Sequence, residues 1–410
     1  MTQPPQQPPN RNHWAVKPIK SEMLAIVGGS ARAALHDALT EPRLRASGII
    51  AVDRFGDVDV IDRATQWIDY DDDGNWIDRL MRHPVDTIMP VGGFRWPSDP
   101  AMRKQLKTFR IAHPEPKVVQ AIQDPRMLAT IAIDAIRLPW TSLRLSNASA
   151  VRVGTPANRA ITDGWLEKPV NHAGGVDIRR VAEGEPTHDG VYHQQKIRGH
   201  AIGANFIAVP RDPSDAALSS AILLGAFGGL TYRRSRSHPF LYGGSFGPLV
   251  MTAATRGEIE SLGNRIAAAF GIRGLFNVDL ILARDESLWL LEINPRYSAS
   301  MELLGTGSLV DWHLRCIDGD RTLSDTVQNQ IANRSIGFGS KRIIYANHDH
   351  DDRMMRLMSS NEHRSSRMKI VDIPQPDAAV LSGHPICTLI TNQHLSIGDA
   401  IRVIRSALRT

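Results

Sequence analysis

The sequence predicts an α/β protein of more than one lobe, and three observations predict it. Near the start, a buried strand (residues 23–27) runs into Gly28-Gly29-Ser30, a helix from about residue 31 to 39, and a second strand at 48–52. Further on, residues 274–294 alternate apolar and polar side chains around a short polar turn, the pattern of an antiparallel hairpin. Lastly, 410 residues exceed what one ordinary core holds.

Composition narrows the class. A hydrophobic fraction of 42% fits a folded chain and excludes a disordered one. The longest apolar stretch, residues 216–230, is broken by Ser219 and Ser220 and is too short to span a bilayer. Residues 1–20 open Pro/Gln-rich and read as a disordered tail with no secretory leader. Two distant cysteines, Cys316 and Cys387, argue against a disulfide framework or zinc cluster and fit a reducing cytoplasm. A net charge of +5 suits an anionic substrate as well as nucleic acid.

In the N-terminal part, the second strand ends at Asp53 and a third, residues 87–91, ends at Gly92-Gly93. This is the doubly wound pattern, which binds ligands at the C-terminal ends of its strands. Ser30, also a candidate helix N-cap, and Gly93 are therefore ligand-binding candidates. Gly28-Gly29-Ser30-Ala31-Arg32 is not G-x-G-x-x-G, so an NAD-dependent enzyme stands only as an alternative. The acidic run at 69–73 reads as a hydrated loop.

In the hairpin, Phe276, Val278, Leu280 and Leu282 alternate with Asn277, Asp279 and Ile281. On the return, Trp289, Leu291 and Ile293 alternate with Leu290, Glu292 and Asn294. If residues 284–287 close the loop, Asp279 faces Glu292. Facing carboxylates repel, and a divalent cation between them turns that liability into a site, with Asn294 as a third oxygen. A hydrated, solvent-facing hairpin is the plain alternative.

Upstream, residues 164–171 read as a strand carrying Lys168, followed by a Gly174-Gly175 turn. The lysine can neutralise phosphate while the glycine backbone approaches its oxygens; no Walker A loop is present. Asp124-Pro125-Arg126 opens an amphipathic segment, and Arg126 alone reads equally well as a surface residue. Arg233, Arg234, Arg236 and His238 stand beside glycines and suit either a lid or a solvated loop. Thr255 to Glu258 spells a capping box for a helix that buries Ile259, Leu262 and Ile266 and stops at Gly271. Short strands at 341–346, 369–373 and 385–391 precede a final helix at about 397–408. His348 to Asp352 reads as a hydrated turn, since nothing there converges ligands.

The string Leu291-Glu292-Ile293-Asn294-Pro295-Arg296, with Asp279 on the preceding strand, resembles the metal-binding signature of the ATP-grasp superfamily. It is similar in particular to predicted carboligases related to biotin carboxylase. The resemblance implies an ATP-grasp fold: a Rossmann-like domain over 21–120, a nucleotide domain over 121–325 and a small β-rich lobe over 326–410. It implies that Asp279, Glu292 and Asn294 hold one or two Mg²⁺ ions, for which Mn²⁺ can substitute. ATP would be bound by Arg126, Lys168, Gly174 and Gly175, and by a hinge strand over 191–209 whose Gln195 and Ile197 backbone reads adenine. Gln194 stands where many relatives carry Glu, and the acid that often holds ribose falls near Ala201, a departure from the pattern. Arg296 would hold an acyl phosphate, with Ser298 beside the substrate.

The activity so implied is ATP-dependent joining of a small carboxylate to an amine, releasing ADP and phosphate, as in ligases of one-carbon cofactor biosynthesis. The expected partners are small molecules, with no nucleic acid and no membrane; a homodimer and a cytoplasmic location complete the expectation. The alternative on the same fold is a non-catalytic ATP-binding regulator.

Overall fold

The computed structural model describes residues 23–71, 73–132, 135–143, 151–170, 174–212, 215–232, 238–305, 309–333, 339–346, 368–376 and 378–392. The tail at 1–20, the arginines at 233–236, the His348 to Asp352 run and the final helix lie outside the described residues.

Among the described residues the strands form three sheets. The first contains β1 (Met23–Gly28), β2 (Ile49–Asp53), β3 (Gln66–Asp69), β4 (Val85–Pro90) and β5 (Arg110–Ile111) in the order β3-β2-β1-β4-β5. Its pairs are all parallel, and β1 is buried from Leu24 to Val27, as a strand covered on both faces must be. The winding reverses between β1 and β4, which opens a crevice at Gly28-Gly29-Ser30 and Gly92-Gly93. The two turns interlock. A Cβ on Gly28 would lie 2.7 Å from the Gly92 carbonyl oxygen, and Gly93, at φ +82°, abuts the Gly29 backbone. Ser30 is not the N-cap expected for the helix Arg32–Ala38. Ala31 occupies that position, and Asp53 reaches over from β2 to accept the Ala31 N–H at 2.6 Å.

The second sheet joins β7 (Thr141–Leu143), β8 (Val151–Val153), β9 (Thr162–Pro169), β10 (Arg179–Val181) and β11 (Val191–Ile197), while β6 (Ile136–Arg137) belongs to the third. That sheet adds β12 (Gly199–Asp212), β13 (Asp215–Thr231), β14 (Tyr242–Gly247), β15 (Gly274–Ala283), β16 (Leu288–Asn294), β17 (Gly339–Tyr345), β18 (Met368–Val371) and β19 (Pro385–Thr391). The order is β18-β19-β17-β14-β13-β12-β15-β16-β6.

Two expectations change here. The hinge read as one strand over 191–209 is two strands, β11 and β12, in different sheets on either side of Arg198. The strands expected as a separate C-terminal lobe continue the central sheet, because β17 pairs with β14.

The helix Ala253–Phe270 covers one face of that sheet with Ile259, Leu262 and Ile266 against Phe206 and Phe276, whose rings stack at 4.9 Å. It begins three residues before the expected box, because Thr252 Oγ1 accepts the Thr255 N–H at 3.1 Å, and it stops at left-handed Gly271. The other face shares a core with the N-terminal lobe: Leu35 and Ile26 cluster with Leu275, Met301 and Trp312. His313 ties the two. Its Nδ1 accepts the Leu275 N–H at 2.9 Å, so Nε2 donates to the Ala112 carbonyl at 2.8 Å. Burial holds this imidazole neutral, with its pKa lowered to about 4.

Candidate active site

The hairpin places the acids as expected, by an unexpected route. The turn pairs Leu282 with Leu288, and an unbroken ladder from there would set Asp279 against Leu291. A β-bulge at Leu291 shifts the register by one, so Asp279 lies across from Glu292 and Asn277 across from Asn294. The bulge also corrects the facing of the return strand. Leu290 joins the core with Leu288 and Ile293, whereas Leu291 and Glu292 both reach the cleft.

That cleft, about 710 Å³, lies between the three sheets. Asn294 spans the acids on its floor: its Nδ2 donates to Asp279 at 3.2 Å and to Glu292 at 3.0 Å. Its Oδ1 accepts from Arg296 at 2.8 Å. Burial, and then the facing Glu292 carboxylate, hold the Asp279 carboxyl well above the usual range. Lys168 and Arg296 act in the opposite direction on that carboxyl, and burial lowers the pKa of both bases. The Lys168 ammonium is placed from β9 by Gln194, whose Oε1 accepts it at 2.9 Å and whose Nε2 donates to Thr141 at 3.1 Å. The glycine turn closes over the same space. Gly174 and Gly175 have φ of +65° and +75°, and the Gly174 carbonyl accepts the Tyr242 N–H.

Not every expected residue arrives. Arg126 is half-exposed, forks onto Asp124 at 2.5–3.0 Å and does not line the cleft. The Gln195 N–H already donates to the Trp140 carbonyl, its side chain accepts the Ala157 N–H, and Ile197 is buried among Ile161 and Trp289. Ser30, Gly93 and Ser298 do line the cleft, though Ser298 Oγ donates to Asn205 beneath it. Ala201 lines it too, with no acid for a ribose.

Sequence reasoning missed Arg54, Arg95, Tyr242 and Lys341, which line the same space from distant segments. Glu302, beyond the Asp279–Glu292 hairpin in sequence, is engaged away from the acids: it pairs with Arg32 and with Lys341 Nζ at 2.7 Å. Among the described residues no three His, Cys, Asp or Glu side chains gather, so any cation here rests on two acids and an amide. The donor set fits one: two oxygen acids forced together in a buried cleft, carrying the repulsion a hard divalent ion removes.

A sheet below, a smaller sheet above and a doubly wound lobe at the side, closing on one cleft, define the ATP-grasp class of fold. Residues 138–300 match the model of the ATP-grasp domain, so the chain carries that domain. Solved structures agree in fold. Pyruvate carboxylase from Rhizobium etli superposes at TM-score 0.64 and 12% identity over 94% of this chain, which spans 37% of that enzyme. The biotin carboxylase domain of Hydrogenobacter thermophilus 2-oxoglutarate carboxylase, solved with MgADP and bicarbonate, gives 0.60 and 15%, covering 95% of this chain and 90% of that one. Carboxyaminoimidazole ribonucleotide synthase from Aspergillus clavatus, solved with ATP, gives 0.61 and 14%, covering 95% and 97%. No curated protein sequence matches the chain. Among the described residues no helix is long and apolar enough to cross a membrane; residues 216–230 lie within β13.

Proposed function

We propose that the protein is an ATP- and Mg²⁺-dependent ligase that activates a small carboxylate as an acyl phosphate for attack by an amine, releasing ADP and phosphate. The observation that carries this reading is the facing pair Asp279 and Glu292, bridged by Asn294 and flanked by buried Lys168 and Arg296 in one cleft. A carboxylate is a poor electrophile because its charge repels a nucleophile, and phosphorylation supplies a leaving group. The demand on the protein is to neutralise crowded anions and align them.

Asp279 and Glu292 would hold the metal, joined by Asn294 once its amide turns Oδ1 in place of Nδ2 toward the acids, and the metal would supply charge neutralisation of the phosphates. Lys168, fixed by Gln194, would offset phosphate charge from the opposite sheet. The Gly174-Gly175 turn would cover the phosphates with backbone N–H groups. Arg296, held by Asn294, would present its guanidinium to the transferred group bidentately. Against the NAD alternative, Asp53 at the end of β2, where a dinucleotide fold places its ribose-binding acid, is 1% exposed and spends its carboxylate on the N–H groups of Ala31, Phe55 and Gly56.

The test is ADP release across a panel of carboxylates and amines, with Glu292→Ala as control. At least one pair should release ADP in the wild type and none in the variant. Undiminished turnover by a folded Glu292→Ala protein would remove the metal assignment, and nucleotide binding with no ADP release from any pair would favour the regulator.

A further inference from the structure

The N-terminal end of the cleft carries a feature that phosphate and metal chemistry does not use. Arg54 and Phe55 follow β2, Arg95 follows β4, and all three are exposed. Arg54, Phe55 and Arg95 line the same cleft as Asp279 and Lys168.

Both turns are pinned. Asp53 Oδ1 accepts the N–H groups of Phe55 at 2.8 Å and Gly56 at 3.1 Å. Gly56, at φ +55°, lies against the Trp67 ring, where a Cβ would come within 2.6 Å, and its carbonyl accepts from Gln375 at 2.8 Å. Trp67 Nε1 donates to the Asp53 carbonyl at 3.0 Å. On the other turn, the Arg95 N–H donates to the buried Tyr70 hydroxyl at 3.0 Å, and Gly93 is wedged against Gly29. Among the described residues nothing pairs with the Arg95 guanidinium.

The Arg95 guanidinium, without a partner among the described residues, stands in a cleft that Arg54 also lines, and Phe55, left 49% exposed in the same lining, forgoes burial. An anion with an apolar body resolves both. Guanidinium forks match carboxylate and phosphate oxygens, while the ring covers a short hydrocarbon or planar spacer.

We propose that Arg54, Phe55 and Arg95 form a subsite for a second oxyanion group, carboxylate or phosphate, on one of the ligated substrates. The substrate is thus at least bifunctional, with its reacting group toward Arg296 and its anionic tail at the β2 and β4 turns. Its place in a reaction rests on the ligase reading above; the binding itself does not.

Two arms keep these apart. Calorimetric titration of the full chain compares glutarate with butyrate, and glycerol 3-phosphate with glycerol, so that the carboxylate and phosphate sources are told apart. One dianion should bind at least about tenfold tighter than its control. Arg54→Gln/Arg95→Gln should abolish that preference and leave ATP affinity unchanged. Arg54→Lys/Arg95→Lys, which keeps charge but loses the fork, should give an intermediate loss. In the ADP-release panel, the accepted substrate should carry the second oxyanion, and the Gln pair should raise its KM about 100-fold with kcat nearly kept. Absence of any dianion preference, or its survival in the Gln pair, would overturn the subsite. A preference that vanishes as expected without ADP release from any pair would retain the subsite and reject the ligase.

Discussion

Arg32→Met should unlock the joint between the N-terminal lobe and the end of the central sheet. Arg32 is 2% exposed, forks onto Glu302, and donates through Nε to Asp372 at 2.6 Å. Burial alone would push the Glu302 carboxyl up. Arg32 and Lys341 instead pull it down to about 2 from an ordinary 4.5. That difference corresponds to about 3 kcal/mol of stability at neutral pH, shared between the two cations. Removing one partner of a buried pair costs a comparable ~3–5 kcal/mol, because the acid stays behind in low dielectric. The sign follows from a depressed carboxyl: the stabilisation is full above about pH 4.5 and is lost as pH falls through about 2. Asp57 and Asp53, raised by burial to about 9 and about 6, act in the opposite sense, but both proteins contain them, so they largely cancel in the comparison.

Urea unfolding by circular dichroism, in steps from pH 7 to pH 3, reads the comparison. The variant should be less stable by about 3 kcal/mol at pH 7, with the gap narrowing toward the acid end. A difference under roughly 0.5 kcal/mol, or one that ignores pH, would refute the network as a stabilising joint.

Two further outcomes follow from the cleft. Lys168→Met should weaken ATP binding by about 10- to 100-fold, the loss of a charge-assisted contact, while leaving the nucleotide-free protein at least as stable, since a buried charge is removed. Titration calorimetry beside thermal unfolding separates these effects, and unchanged affinity would exclude Lys168 from the phosphates. Gly175→Val should displace the glycine turn, because the new side chain meets the Phe240 carbonyl at a φ of +75°. ATP affinity should fall with little change in melting temperature; an unaffected affinity would detach the turn from the nucleotide.

Local pattern was enough for much of this protein. The β1 run of apolar residues closed by Gly28-Gly29 specified a parallel, two-sided strand, and the 3.6-residue repeat of Ile259, Leu262 and Ile266 specified which helix face is buried. The string from Glu292 to Arg296 marked three residues that share one cleft, because side chains two apart on a strand share a face and their spacing in sequence is their spacing in space. What tertiary structure decided are relations between segments that do not share a local period. The Leu291 bulge, which has no sequence mark, sets the register of the acid pair. Lys341, Arg54 and Arg95 reach the cleft only because β17 pairs with β14 and the first sheet reverses between β1 and β4. Arg126 shows the reverse case: a cation at the expected place in sequence that its own neighbour Asp124 holds at the surface. Side-chain period records how each segment buries itself. Which segments then meet is chosen by the packing of whole sheets, a sum over many residues to which no single stretch holds the key.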